Sequence, residues 1–189
     1  MGGSVPLAAS GSPPAERDLP LADRLAPEEF EAFYAEVGPR LRGFLYSQTG
    51  DGSVADDLAQ EAFTRVLASR LRPESTEHLV RYLYKTAVHL LRDRGRAAGR
   101  QPLPLLVEHD SPQPAPPVEL RRDLARALAA LGTRERRLLW MAHVEGMKHD
   151  AIADALGARS ASIRVMLFRA RRRLAMLLGR EDAGEGRIG

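Results

Sequence analysis

Residues 146–174 read Gly-Met-Lys-His-Asp-Ala-Ile-Ala-Asp-Ala-Leu-Gly-Ala-Arg-Ser-Ala-Ser-Ile-Arg-Val-Met-Leu-Phe-Arg-Ala-Arg-Arg-Arg-Leu, and their pattern decides the fold. A short helix buries Ile152, Ala153 and Leu156. Gly157 can take the left-handed conformation that ends a helix. Ile163, Leu167, Ala170 and Leu174 then recur at helical spacing and form one apolar seam. Helix, glycine turn and second helix make a helix-turn-helix, whose second helix can enter a DNA major groove. From Arg159 to Arg173 stand six arginines (Arg159, Arg164, Arg169, Arg171, Arg172 and Arg173) with no acid between them. Such a surface suits a polyanion. The same residues also suit a solvated basic helix in a bundle, so the motif needs support from the rest of the chain.

Working outward, the composition limits the possibilities. The chain has 189 residues, 44% hydrophobic, enough for one medium domain or two small ones. The formal net charge is only +3, but the charge is segregated. Residues 28–77 hold ten acids (Glu28, Glu29, Glu31, Glu36, Asp51, Asp56, Asp57, Glu61, Glu74, Glu77) against five arginines. Residues 81–100 reverse the sign, with Arg81, Lys85, Arg92, Arg94, Arg96 and Arg100 against Asp93. An acidic half beside two basic blocks implies one protein partner and one nucleic-acid partner. There is no cysteine, which excludes disulfides, thiolate metal sites and a cysteine nucleophile. The five histidines (His78, His89, His109, His143, His149) are scattered rather than spaced as ligands. No metal, cofactor or catalytic residue is expected, and the chain is read as a non-enzyme. No apolar run is long enough to span a bilayer, and residues 1–6 lack the pattern of a secretory or myristoylation signal. A cytoplasmic protein, without a membrane partner, is the corresponding expectation.

The periodicity is helical throughout and no strand pattern appears. Residues 1–24 form an N-terminal tail, rich in Gly, Ser, Pro and Ala over its first twenty positions and expected to be disordered. Phe30, Phe33, Tyr34, Val37, Leu41, Phe44 and Leu45 follow a helical period, with a bend expected at Gly38-Pro39. A second helix is expected from Val54 to Arg70 and a third from His78 to Arg96, with Leu79, Leu83, Ala87 and Leu90 inward. These three make a first domain over residues 25–100. Residues 101–118 contain Pro102, Pro104, Pro112, Pro114, Pro116 and Pro117 and read as a semi-stiff linker. Leu103, Leu105, Leu106 and Val107 make it more apolar than a spacer requires. A second domain over residues 119–180 begins with a stripe of Leu120, Leu124, Leu128 and Leu131, continues through Leu138, Trp140, Met141 and Val144, and closes with the helix-turn-helix. Residues 181–189 read as a disordered C-terminal tail. The fold class is all-α, in two small helical domains.

Two surfaces in the first domain carry chemistry. At about 100° per residue, Leu58, Ala59, Ala62, Phe63 and Val66 share one arc of the second helix, and Asp57, Gln60, Glu61 and Thr64 share the opposite one. A compact anionic stripe would repel phosphates and is better placed to dock a protein; an ordinary solvated face is the plainer alternative. The third helix mixes Tyr82, Tyr84, Lys85, His89, Arg92, Arg94 and Arg96. Rings that stack on bases beside cations that hold a backbone suit single-stranded nucleic acid. The plainer alternative keeps one tyrosine in the core and leaves the rest in solvent.

These residues resemble a family. Asp57-Leu58-Ala59-Gln60-Glu61-Ala62-Phe63 looks like the core-polymerase-binding motif of bacterial sigma factors. Arg81-Tyr82-Leu83-Tyr84-Lys85-Thr86-Ala87 looks like the promoter-melting helix that follows it. Thr133-Arg134-Glu135-Arg136 with the closing helix-turn-helix looks like sigma domain four. Domains two and four joined by a short linker resemble the extracytoplasmic-function sigma factors, and the resemblance covers about residues 28–178. It implies a subunit that binds core RNA polymerase through the beta and beta-prime subunits and directs promoter recognition and transcription initiation. It implies that Asp57, Gln60, Glu61 and Thr64 face the clamp helices of the largest subunit. The loop around residues 73–79 and the third helix, through Tyr82, Lys85, His89, Arg92, Arg94 and Arg96, would read and open the −10 element. Ser162, Arg164, Val165, Phe168, Arg169 and Arg172 would read the −35 element. Promoter DNA is the second partner, and an anti-sigma factor is a further one that the resemblance allows.

This chain departs from the family pattern in places. Tyr82 stands where Trp is usual and His89 where Asn is usual; Lys148 takes the place of a Ser or Thr cap. Val165, Met166 and Phe168 occupy positions commonly polar or basic. The outward face of Ala161, Val165, Phe168, Arg169 and Arg172 is therefore unusually apolar for a groove reader; it suits thymine methyls or a covering protein. Two other functions remain: a helix-turn-helix regulator that never joins polymerase, and an adaptor that sequesters other factors through this apolar face.

Overall fold

Seven α-helices and one short 3-10 turn account for the described residues, 19–98 and 118–185, of this computed structural model. In chain order they are α1 (Pro27–Thr49), α2 (Gly52–Ala68), α3 (Thr76–Ala98), α4 (Val118–Ala130), α5 (Thr133–His143), α6 (His149–Leu156) and α7 (Ser160–Glu185). The proline-rich segment, with Leu103, Leu105, Leu106 and Val107, lies outside the described residues.

Local chemistry sets the boundaries. Pro27 opens α1, where its missing N–H costs nothing, and Glu29 Oε2 accepts from the Ala26 N–H at 3.2 Å. α1 runs unbroken through Pro39, although a bend is expected there. Ala35, whose carbonyl loses its partner at Pro39, is exposed, so water can satisfy it. Gly50, at φ 67°, ends α1, and one residue later Asp51 Oδ1 accepts from the Val54 N–H at 3.1 Å to start α2. Glu135 Oε2 closes the start of α5 on the Gly132 N–H at 2.9 Å. Lys148 makes no side-chain cap at α6, as its cationic amine cannot accept from a backbone N–H. Gly157 adopts φ 60°, the left-handed turn expected of the motif.

The inward residues are largely those the periodicity selects. Leu58, Ala62, Phe63 and Val66 of α2 are buried, as are Leu79, Leu83, Ala87 and Leu90 of α3. In the helix-turn-helix Ile152, Ala153, Leu156, Ile163, Leu167 and Ala170 are buried, and Leu174 is half-buried. Elsewhere the outcome differs. Leu124 and Val144 are exposed; of the leucine stripe, Leu128 and, just past the end of α4, Leu131 pack on the core, while the side chain of Leu120 lies outside the described residues. The N-terminal tail expected over residues 1–24 becomes ordered before its end. Leu21 opens the 3-10 turn (Leu21–Asp23) and is 3% exposed, its N–H donating to the Ser69 carbonyl at 2.8 Å. It lines a small apolar hollow together with Phe30, Phe33, Phe63, Val66 and Leu79, and burying one leucine stabilises by about 1.5–3 kcal/mol. At the other end α7 continues to Glu185, past residue 180 where the second domain was expected to stop.

The two halves do not form separate cores. Buried side chains from α1, α2 and α3 join those of α5, α6 and α7 in one continuous apolar cluster. α3 lies against α6 and α1 against α5. Phe44 of α1 stands between Tyr84 of α3, with ring centroids 5.2 Å apart, and Trp140 of α5 at 6.2 Å. No helix among the described residues is long and apolar enough to cross a membrane.

Candidate functional site

The structure presents three polar surfaces on this helical frame. On α2, Asp57, Gln60, Glu61 and Thr64 are all exposed, opposite the buried Leu58, Ala62 and Phe63. The stripe is held partly in place. Glu61 Oε1 accepts from Arg65 Nε at 2.6 Å, one turn along, and the Thr64 hydroxyl donates to the Gln60 carbonyl at 2.8 Å. Asp56 beside it accepts from Arg42 of α1, and that hydrogen bond raises the guanidinium above its ordinary value. Asp57 makes no ion pair among the described residues.

The surface of α3 is mixed. Tyr84, one of the two tyrosines of its motif, belongs to the core at 0% exposed. Burial, and then the nearby Glu145 carboxylate, hold its phenol well above the usual range, so it stays protonated. Its hydroxyl has no hydrogen-bond partner among the described residues. Tyr82 is half-buried, while His89, Arg94 and Arg96 are exposed, with Arg96 Nη2 on Asp93 Oδ1 at 3.0 Å. Lys85 and Arg92 are half-buried and turned toward α6. Lys85 Nζ donates to Asp154 Oδ1 at 2.8 Å, and Arg92 Nη2 donates to the Leu156 carbonyl at 2.5 Å. Tyr82, His89, Arg94 and Arg96 therefore keep solvent access, whereas Lys85 and Arg92 are engaged within the chain.

On α7, Ser162, Arg164, Arg169 and Arg172 are exposed, and Val165 and Phe168 stand out at 50% and 63% exposed between them. Leu167, next to Phe168, is 2% exposed, so the seam and the outward face separate cleanly. Arg171 Nε donates to His143 Nε2 at 3.1 Å, and Arg173 lies 3.8 Å from Glu135, which ties the rear of α7 to α5.

An exposed anionic helix, a basic aromatic helix and a basic helix-turn-helix thus follow one another along the chain. Residues 33–101 match the model of sigma-70 region 2, and residues 121–174 match that of sigma-70 region 4. The RNA polymerase sigma factor CarQ of Myxococcus xanthus is 30% identical over 163 residues, covering 82% of this chain and 91% of that protein. The chain belongs to the extracytoplasmic-function sigma factors. The factor SigF of Caulobacter vibrioides is 30% identical over 155 residues, covering 78% of this chain and 84% of its own length. The fold is similar to that of the sigma factor RpoE in its complex with the anti-sigma factor NepR from Bartonella quintana. That match has a TM-score of 0.63 at 23% identity and covers 80% of this chain and 98% of the other. As a sigma factor, this protein binds core RNA polymerase and directs promoter recognition and initiation.

Sequence reasoning missed the residues that join the two halves of this sigma factor. Ser47 and Gln48 of α1 are buried polar groups at 4% and 5% exposed. Gln48 Oε1 accepts from Arg137 Nε of α5 at 3.1 Å, and Gln48 Nε2 donates to the Ser47 hydroxyl at 3.0 Å. The Glu145 side chain is 1% exposed, accepts from Trp140 Nε1 at 3.3 Å, and lies 3.8 Å from Arg40 Nη1 of α1. A faint signal for one of them was present: Gln48 continues the spacing of Leu41, Phe44 and Leu45 on the apolar face of α1. Arg24 was also missed. Its Nη2 donates to the Leu71 carbonyl at 2.5 Å, tying the N-terminal segment to the loop before α3.

Proposed function

We propose that this sigma factor divides its work among the three surfaces by chemistry. Asp57, Gln60, Glu61 and Thr64 dock α2 on the polymerase clamp. Tyr82, Lys85, His89, Arg92, Arg94 and Arg96 of α3 hold the opened −10 strand, with residues 73–79, the end of the preceding loop and the first turn of α3, beside them. Ser162, Arg164, Val165, Phe168, Arg169 and Arg172 of α7 read the −35 element. In this reading the arginines supply phosphate affinity, and Val165 and Phe168 meet thymine methyls. The observation that carries it is the opposition of exposed acids on α2 to exposed cations on α3 and α7, since one surface could not serve both a protein and a polyanion. The chain itself is read as non-catalytic, and its place of action as the cytoplasm, at the nucleoid. An anti-sigma factor is a further proposed partner, supported by the complex in which the similar Bartonella sigma factor was solved.

The test is gel filtration of the purified chain with core polymerase, followed by run-off transcription on promoter fragments. Comigration with core and promoter-dependent transcripts are expected. A chain that bound promoter DNA alone and never comigrated would instead be an independent regulator. One that did neither would be a sequestering adaptor.

A further inference from the structure

The loop between α2 and α3, residues 69–75, is exposed at Arg70, Arg72, Glu74 and Ser75, yet much of its backbone is bonded. The Ser69 hydroxyl donates to the Val66 carbonyl at 2.7 Å and accepts from the Leu71 N–H at 3.3 Å. At the far end the Glu74 N–H donates to His78 Nδ1 at 3.3 Å, and the His78 N–H donates to the Ser75 hydroxyl at 3.2 Å. Two further bonds come from outside the loop, from the segment ahead of α1. The Leu21 N–H donates to the Ser69 carbonyl at 2.8 Å, and Arg24 Nη2 donates to the Leu71 carbonyl at 2.5 Å. Arg24 Nε also donates to the Leu19 carbonyl at 3.3 Å, so one guanidinium clips the segment to the loop. The segment has an apolar anchor of its own. Leu21 and Leu25 line the hollow together with Leu79, the buried residue in the first turn of α3. Arg24 is half-buried and makes no ion pair among the described residues. On neutral carbonyls its guanidinium balances no charge; it supplies a planar fork of fixed geometry. Leu21 and Arg24 both precede residues 33–101, the part that matches region 2.

We propose that Arg24 is a positioning residue for −10 recognition: residues 19–25 clasp the loop and hold it in the shape in which it meets the opened strand. This role rests on the reading of residues 73–79 and α3 as the −10 contact. A loop fixed before binding loses less conformational freedom on the DNA, and its base contacts keep one geometry. Released from the clasp, the loop holds that shape only part of the time, and affinity for the favoured −10 sequence falls by that fraction. Phosphate contacts made elsewhere carry no sequence information and are unaffected. The clasp therefore acts on the choice of −10 sequence more than on the grip on DNA.

The test uses holoenzyme assembled from core polymerase and the full chain. The probe is a promoter that the parent transcribes, randomised over its −10 element, and the bound fragments are sequenced. Arg24→Met keeps the apolar stem and removes every donor; Arg24→Lys restores a donor for the Leu71 carbonyl. If the unclasped loop holds its shape about one-tenth of the time, Arg24→Met should flatten −10 preference about tenfold, and Arg24→Lys should recover most of it. Comigration with core polymerase and the salt dependence of DNA binding should match the parent. Unchanged −10 preference in Arg24→Met overturns the proposal. A loss shared equally by all −10 sequences, with a salt slope lower by about one, also overturns it, because Arg24 would then be a phosphate contact. A second measurement needs only the parent and stands even where Arg24→Met fails to fold. In the free chain the Leu71 and Glu74 N–H groups should be protected from hydrogen exchange, followed by NMR; exchange as fast as in an open loop overturns the pre-set shape. The reading beneath the proposal is tested separately by Glu74→Gly with Ser75→Gly, which loosens the loop directly. If that chain keeps the parent's −10 preference, the loop is no −10 contact; if it loses the preference and Arg24→Met does not, the clasp alone is wrong.

Discussion

Reversing the charge of the α2 stripe separates docking from folding. Asp57→Lys with Glu61→Lys places two cations where the proposed polymerase contact needs anions. The cost to folding can be worked from the structure. Asp57 is exposed and makes no ion pair among the described residues. Glu61 loses its contact with Arg65, whose side chains are 47% and 52% exposed, so the pair is worth about 0.3–0.5 kcal/mol. The new cation next to Arg65 on the same helix face adds a repulsion of similar size. Stability should thus fall by about 1 kcal/mol or less. Docking should fall much further, since removing one partner of a desolvated charge pair costs about 2–5 kcal/mol. Even the lower figure is about 30-fold in affinity. Binding of labelled chain to core polymerase, measured beside a thermal melt by circular dichroism, reads both quantities. Arg65→Ala sharpens the test, because it frees the Glu61 carboxylate; binding should hold or tighten by a few-fold. A folded double variant that binds core within about threefold of the parent would refute the placement of polymerase on α2.

Other outcomes follow from the same geometry. Tyr82→Ala and His89→Ala should weaken open-complex formation, followed by permanganate reactivity of melted thymines, more than initial duplex binding. Phe168→Ala, at an exposed site, should leave the melting temperature nearly unchanged but alter preference at one or two −35 positions by about 1–3 kcal/mol, read by competition between promoter fragments. Leu167→Ala, one residue away and buried, should instead cost about 2–5 kcal/mol in the melt. Tyr84→Phe removes a buried hydroxyl that has no hydrogen-bond partner, so urea unfolding should show a change within about 1 kcal/mol or a gain; a larger loss would mean that the hydroxyl bonds to Glu145 or to water. Deleting about six residues of the proline-rich linker should shift the tolerated spacing between promoter elements, measured on a series of spacer lengths.

Much of this sigma factor is legible in one dimension because its helices are amphipathic. A period of 3.6 residues places Leu58, Ala62 and Val66 on one side of α2 and Asp57 and Glu61 on the other, whatever the helix packs against. The turn at Gly157 and the seam of Ile163, Leu167 and Ala170 follow from equally local rules. The same rules fail where a residue's burial depends on a remote neighbour. Leu124 fits its stripe but ends exposed, and Leu21 sits in a polar-looking tail but ends buried, because the hollow between α1, α2 and α3 is made by residues distant in sequence.

The sequence by itself determined the helices, their inward faces, the segregation of charge and hence the need for one protein partner and one polyanion. These depend on side-chain type and spacing within a few turns. Only the tertiary structure decided that the two halves share a core, that Glu145 and Gln48 are enclosed between them, and that Lys85 and Arg92 are engaged by α6. Lys85 and Asp154 are 69 residues apart, and Arg92 and Leu156 are 64 apart. No periodicity reaches across such a gap, and a cation's preference for an anion does not say which anion. That choice is made by packing, when α6 is laid on α3 and the carbonyls at its end have no helix left to bond.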